Sequence, residues 1–408
     1  MDTNLNDIGL IVGLILNFYV TNTFIKDLIL IDHVFYLGGN LFIKLMSMLV
    51  VPLVFCSIIV GVTSISDIKK IGSIGGRAIL IYLLTTALAV SIALLIAGII
   101  EPGIGLNMTG LADPSNVTTN VTVTNTILDM IPDNPLNSLA NGDMLPLIIF
   151  GVVVGFILAK LKEETATINK LFTEGNTVMM EMTNIVMKFA PIGVFCLIAK
   201  TFATLGMDGL MPLSKYVACV LLALAVQAFI VYPTLLVIFT RLNPIKFFKK
   251  FFSVMLFAFS SSSSNATIPL NLEKLSEMGV SKEVSSFTIP LGATINMDGT
   301  AIMQGVVVMF AAQAYGIDLG LSALITVIFT AVMASIGTAG VPSVGLVTLN
   351  MVFASVGLPT DAIGLIMGID HILDMIRSAV NVTGDAICTI IISFKNKSVD
   401  LDAFNSEK

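Results

Sequence analysis

Hydrophobic residues along this chain come in long runs, not at the spaced positions of a surface helix. Runs near 8–25, 34–65, 78–100, 141–159, 178–205 and 212–240 reach about the 20 helical residues that cross roughly 30 Å of hydrocarbon. They predict six conventional transmembrane helices. The rest of the chain is patterned differently. No charged residue occurs from Leu319 to Thr360, yet GTAGVPSVG at 337–345 divides that stretch into two arms, each short for a crossing. FAFSSSSSNATIPLNL at 257–272 makes a similar break. Breaks rich in Gly, Ser and Pro are usually surface loops. Two of them in corresponding places also fit re-entrant helical hairpins, because non-helical backbone persists at membrane depth only where protein or a wet cavity satisfies its N–H and C=O groups. Helices carrying GATINMDGT (292–300) and GIDHILDMIRSAVNVTGD (368–385) bring the expected spans to eight.

Composition agrees with that pattern. The 408 residues are 56% hydrophobic and 12% charged, with a mean hydropathy of +0.96, against about 25% charged in a soluble domain. This is the make-up of an all-α integral membrane protein. A net charge of −6 with scattered Lys and Arg offers no basic stripe, which sets a nucleic-acid partner aside. Cys56, Cys196, Cys219 and Cys388 lie in apolar segments without C-x-x-C or Cys/His spacing, and read as small buried hydrophobes. MDTNLNDIG lacks the positive charge of a secretory signal, so the first run is expected to remain as a span. Lys69, Lys70 and Arg77 follow the second run, Lys160, Lys162 and Lys170 the fourth, and Arg241, Lys246, Lys249 and Lys250 the sixth. Those loops and both termini are therefore expected in the cytoplasm. The absence of Lys and Arg between Arg77 and Lys160 suits an external loop at 102–140. Its sequons at Asn107, Asn116 and Asn120 are of a kind that Thr/Asn-rich loops contain by chance.

Charge inside the apolar segments carries the chemistry. Asp370, Asp374, Arg377, Asn381 and Asp385 are spaced 4, 3, 4 and 4 residues apart, which at about 100° per residue puts them within roughly 80° of arc over about 22 Å of helix. Flanked by apolar residues on both sides, that face must meet protein or water and not lipid. GATINMDGT adds Asp298, with glycines and an asparagine able to loosen helical hydrogen bonding and free oxygen ligands of the kind that hard cations such as sodium prefer. One arginine against Asp298, Asp370, Asp374 and Asp385 leaves three negative charges, each costing roughly 2.5 to 3.5 kcal/mol at the bilayer centre. Cations or protons must enter to neutralise them. Arg377 is the sole Lys or Arg between Lys282 and Lys395. It is a natural fork for a guest carboxylate, or else the partner of Asp374 one turn away.

An enzyme fits less well. TGD at 383–385 is close to part of an intramembrane aspartyl protease motif, but the partner Tyr-Asp motif is missing, and the serine run has no G-x-S-x-G. A five-residue polar stripe exceeds what a two-carboxylate mechanism needs. A carboxylate-binding arginine beside buried aspartates suits occluded binding better than channel conduction.

KLMSMLVVPLVF (44–55), YLLTTA (82–87), KFAPIGVF (188–195), SSSSNATIP (261–269), GATINMDGT, SIGTAGVPS (335–343) and GIDHILDMIRSAVNVTGD occur in one order along nearly the whole chain. In these it resembles the dicarboxylate/amino acid:cation symporter family of glutamate and aspartate transporters. The resemblance implies eight transmembrane helices plus two re-entrant hairpins, built from inverted repeats. It also implies a homotrimer in the plasma (cell inner) membrane that works as an elevator. Scaffold helices would lie in 1–77 and, with the external loop, in 102–211. The transport domain would take the third span at 78–101 and everything from 212 to 408, with hairpins at 247–280 and 322–356. The same resemblance implies co-transported sodium, no organic cofactor, an acidic amino acid as substrate, and no enzymatic activity. A C4-dicarboxylate, neutral amino acid or cystine, with proton coupling, is the alternative.

Carried over by position, the resemblance gives Arg377 and Thr300 the distal carboxylate and Asp374 the amino group. Asn381 and the Ser264 backbone take the α-carboxylate, with Gly345 close by. One sodium set is Asp385, Asn381, Gly292 and Asn296. A second is Thr294, Met297, Ser335, Ile336 and Thr338. The third is Asp298, Asn296, Tyr82, Thr85 and Thr86, with Asp370 beside it. Ser262 and Met375 stand where archaeal and animal members respectively place a second arginine. Gln304 stands where animal members keep a glutamate tied to proton cotransport, so sodium coupling without an obligatory proton is expected.

Overall fold

The computed structural model describes residues 33–64, 73–106, 131–141, 144–189, 191–193, 210–337, 344–359 and 361–406, with residues 11, 12, 15, 128, 195, 196, 199 and 203. Most of the expected first span at 8–25, the three sequons, Thr338 and most of the 337–345 break lie outside the described residues. The apolar runs fold as helices: α1 Tyr36–Ser64, α2 Ser73–Ile100, the short α3 Pro135–Asn141, α4 Met144–Leu161, α5 Ala166–Met187, α6 Leu210–Val226 and α7 Tyr232–Thr240. They continue as α8 Pro244–Ser261, α9 Ser264–Glu277, α10 Lys282–Ile295, α11 Asp298–Tyr315, α12 Leu321–Gly337, α13 Val344–Ser355, α14 Asp361–Lys395 and α15 Leu401–Asn405. Among the described residues, Ile74–Ile100, Met211–Thr240, Lys282–Tyr315 and Ile372–Lys395 are long and apolar enough to cross a membrane, and Val51–Thr63, Ile149–Leu161 and Leu321–Ile336 are shorter apolar helices.

Local chemistry sets the breaks. Asn243 caps α8 by accepting from the Ile245 amide at 2.8 Å, and Pro244 occupies the first turn, where its missing N–H costs nothing. Ser262 then turns left-handed (φ 49°) and Ser263 caps α9, accepting from the Ala266 amide at 3.2 Å. The serine run is thus the tight turn of a helical hairpin, α8 against α9. Asn296 (φ −91°, ψ 84°) and Met297 (φ −112°, ψ 48°) leave helical geometry between α10 and α11. Between α6 and α7 the chain widens into a π turn, Gln227–Val231.

Helix α11 is the hub, buried almost all round and packed against α2, α6, α12, α13 and α14. Helix α14 is buried at every residue from 377 to 393, so its polar stripe faces protein. Helix α1 packs against both α4 and α5, and α12 and α13 also reach α1.

Candidate functional site

Arg377 is completely buried. Its Nη1 donates to Asp370 Oδ1 at 2.5 Å, and its Nη2 to Asp370 Oδ2 at 3.2 Å and Asp374 Oδ1 at 2.7 Å. Seven and three residues back along one helix lie about 20° and about 60° round from Arg377, on one face, and helical side chains lean toward the N-terminus, so one guanidinium spans both carboxylates. Nε is buried without a partner. Asp370, expected beside the third sodium set, takes Arg377 as its ion-pair partner. The trio holds one net negative charge, and removing one member of a buried pair leaves the other uncompensated.

One to two turns further along α14 lies a second group. Asp385 Oδ1 accepts from Asn296 Nδ2 at 2.9 Å, and the same Nδ2 reaches the Asn381 carbonyl at 3.3 Å. Asn381 Oδ1 accepts from the Gly299 amide at 2.7 Å, while its Nδ2 approaches Met297 Sδ at 3.3 Å and Thr300 Oγ1 at 3.5 Å. The break at 296–297 makes this possible, because it points an amide, a thioether and a helix N-terminus at one stretch of α14. A Cβ on Gly292 would lie 2.5 Å from Asp385 Oδ1 and 3.0 Å from the Tyr82 hydroxyl. Only a glycine lets backbone and carboxylate approach so closely.

Asp298 opens α11, where a carboxylate is favoured by the helix dipole. Thr86 Oγ1 donates to its Oδ1 at 2.7 Å, and Gln227 Nε2 and the Tyr232 hydroxyl donate to Oδ2 at 3.0 and 2.9 Å. Thr85 Oγ1 reaches Asn296 Oδ1 at 3.3 Å, which joins the two groups. Neutral donors solvate a carboxylate without cancelling its charge. Among the described residues neither Asp298 nor Asp385 has a basic partner.

The remaining residues divide. Thr300 and Gly345 meet, since a Cβ on Gly345 would lie 2.7 Å from Thr300 Cγ2. Ser264 is buried in the first turn of α9, which packs on α14. Tyr82 donates to the Thr288 carbonyl at 2.9 Å, and its hydroxyl would lie 3.0 Å from a Cβ on Gly292. Of the second sodium set, Thr294 and Ser335 donate to carbonyls of their own helices, Leu291 at 2.9 Å and Val332 at 2.7 Å, and Ile336 packs on the cluster around Tyr82 and Ile295. Met297 points to Asn381. The sequence reading missed Gln227 and Tyr232. Their signal was a glutamine and a tyrosine inside an otherwise apolar span, a placement that costs free energy unless it is used.

Buried uncompensated carboxylates, a buried arginine and broken helices at membrane depth together define an ion-coupled transporter of the secondary type. The comparisons carry this to a family. A model of the sodium:dicarboxylate symporter family matches residues 7–394, and the chain belongs to that family of transporters. It is 37% identical over 363 residues to a proton/sodium-glutamate symport protein of Geobacillus stearothermophilus, covering 87% of this chain and 86% of that one. It is 35% identical over 373 residues to a proton/glutamate-aspartate symporter of Escherichia coli, covering 87% and 84%. A C4-dicarboxylate transport protein of Cupriavidus taiwanensis is 31% identical over 374 residues, covering 89% and 85%.

Proposed function

We propose that the chain is a secondary active symporter that couples inward sodium movement to uptake of an acidic amino acid, L-aspartate or L-glutamate. The observation that carries this is the charge of the cage: Asp298 and Asp385 have neutral donors only, and the Arg377 trio adds a further net negative charge. An anionic guest entering alone would deepen that imbalance. Cations at Asp298 and Asp385 relieve it, so the cation gradient and the substrate are bound together. The glutamate and glutamate-aspartate symporters among its relatives support the same substrate class.

Charge also ranks the guests. An amino acid with an acidic side chain brings one net negative charge and an ammonium for Asp374, whereas a C4-dicarboxylate brings two negative charges and no cation. The dicarboxylate relative keeps that second reading alive. In the proposed roles the distal carboxylate takes donors of Arg377, with Thr300 beside it, and Asn381 and the Ser264 backbone take the α-carboxylate. The close packing of Thr300, Asn381 and Gly345 supports a shared pocket. Gln304 is buried and donates to Thr348 Oγ1 at 2.8 Å, a neutral amide link that offers no carboxylate to carry a proton. The relatives' names pair proton with sodium or name proton alone, so external pH at fixed sodium is part of the test.

For movement, the reading is an elevator in a homotrimer of the cell membrane, with cytoplasmic termini. A scaffold of the first span, α1, α4 and α5 would hold a mobile unit of α2 and α6 to α14. The packing of α1 against α4 and α5, and of α2 against the distant α11, supports that division. The test is uptake of labelled L-aspartate into proteoliposomes under an inward sodium gradient, challenged by glutamate, succinate, serine and cystine. Sodium-dependent accumulation blocked by glutamate is expected. Equal uptake with choline outside, or block by succinate and not by glutamate, would overturn the assignment.

A further inference from the structure

Beyond the cage, the end of α2 meets the end of α14 around a cleft of 470 Å³ lined by Arg77, Leu80, Ile81, Ile392 and Lys395. It lies at the basic end of the molecule. Arg77 Nη1 reaches Asn396 Oδ1 at 3.4 Å, Lys395 Nζ stands 4.7 Å over the Phe239 ring, and the neighbouring tail accepts from Lys246 at 3.1 Å and Lys250 at 2.8 Å. The positive-inside rule makes this the cytoplasmic end. Among the described residues no carboxylate pairs with Arg77 or Lys395, so two cations share one cleft with no anion of the protein between them.

The walls are apolar and do not end at the cleft. Leu80, Leu84, Leu88, Leu95 and Ile99 are 58%, 59%, 42%, 67% and 82% exposed. Their spacing of 4, 4, 7 and 4 residues makes one stripe along α2. From Leu80 to Leu88 it runs about 12 Å, most of the roughly 15 Å of one hydrocarbon leaflet. Cations at headgroup level over an exposed aliphatic stripe match a molecule with an anionic head and an acyl chain.

We propose that this cleft binds an anionic phospholipid, with its phosphate between Arg77 and Lys395 and an acyl chain along Leu80, Leu84 and Leu88. A free phosphate would satisfy the two cations and leave the stripe uncovered, which is why the lipid is the better occupant. Neither cation belongs to the transport cage, so this site stands or falls separately from the symport reading.

Native mass spectrometry of the purified full-length protein tests it, with phosphatidylglycerol, phosphatidylcholine and sn-glycerol 3-phosphate as probes. Phosphatidylglycerol should be retained in preference to phosphatidylcholine. Arg77→Gln or Lys395→Gln should weaken it about fivefold, and the double variant about thirtyfold, from the energy of one basic side chain at an anionic surface. Leu80→Ser should weaken the lipid as well, and glycerol 3-phosphate should not displace it. Arg77→Lys, which keeps the charge, should retain the lipid and guards against a folding defect in the glutamine variant. Equal retention by wild type and double variant would overturn the proposal, as would equal retention of the two lipids. Displacement by glycerol 3-phosphate would make it a free-phosphate site. Crosslinking of Leu80→Cys to another chain, absent in the wild type, would show the stripe to be a protein contact and overturn the proposal.

Discussion

Asparagine in place of Asp385 removes a charge and little else. The amide oxygen can still accept from Asn296 Nδ2, as the carboxylate does at 2.9 Å, and the close approach of Gly292 is unchanged in shape. An uncompensated carboxylate at membrane depth costs about 3 kcal/mol, of which one hydrogen bond to a charged group recovers about 1.5 to 3 kcal/mol. Without sodium, Asp385→Asn should therefore be no less stable than wild type, and more stable by up to about 1.5 kcal/mol. With sodium at a hundred times its dissociation constant, wild type gains about 2.7 kcal/mol from an occupied site that the variant lacks, and the order reverses. The four free cysteines, three of them buried and Cys56 half-buried, report unfolding in detergent through a thiol-reactive dye. Melts in choline and in sodium for both proteins give the four temperatures required. A variant less stable than wild type in both salts, or one with the full sodium gain, would refute the reasoning.

Other consequences follow from the same contacts. Gly345→Ala puts a Cβ 2.7 Å from Thr300 Cγ2. It should cost about 1 to 3 kcal/mol of packing and raise the aspartate concentration for half-maximal uptake, with Thr300→Ser restoring most of the loss in a double-mutant cycle. Gln227→Leu removes the 3.0 Å donor to Asp298. Its cost of about 1.5 to 3 kcal/mol should appear mainly in choline melts, because bound sodium takes over part of the stabilisation. Arg377→Ala strands Asp370 and Asp374, and should lower stability by about 3 to 5 kcal/mol and abolish acidic-substrate uptake. Arg377→Lys keeps the charge without the fork, and should preserve expression while aspartate affinity falls more than tenfold, a loss of over about 1.4 kcal/mol.

Much of the site could be read from residue spacing, because a helix turns spacing into direction. The five polar positions of α14 lie on a buried face, and the SSSSN and INMD breaks fall where helices stop. What the spacing left open was which partner each side chain takes on that face. Arg377 had Asp374 at one turn and Asp370 at two, and only its reach along the helix settled that it holds both. Gln227 and Tyr232 escaped for a different reason: the π turn shifts the register between α6 and α7, so an α-helical projection of this span misplaces them. Thr294 and Ser335 show another detail that residue type leaves open. A hydroxyl in a helix can donate to a carbonyl three or four residues back, and both do, which leaves their oxygen lone pairs open to a cation.

Cations must occupy the carboxylate cage before an acidic amino acid can stay there. Equilibrium binding of L-aspartate to the purified protein, measured at fixed pH and ionic strength as sodium replaces choline, tests it directly. The prediction is a dissociation constant that falls steeply with sodium concentration, on a logarithmic slope greater than one, and becomes too weak to measure in choline alone. The same dissociation constant in choline and in sodium would contradict it.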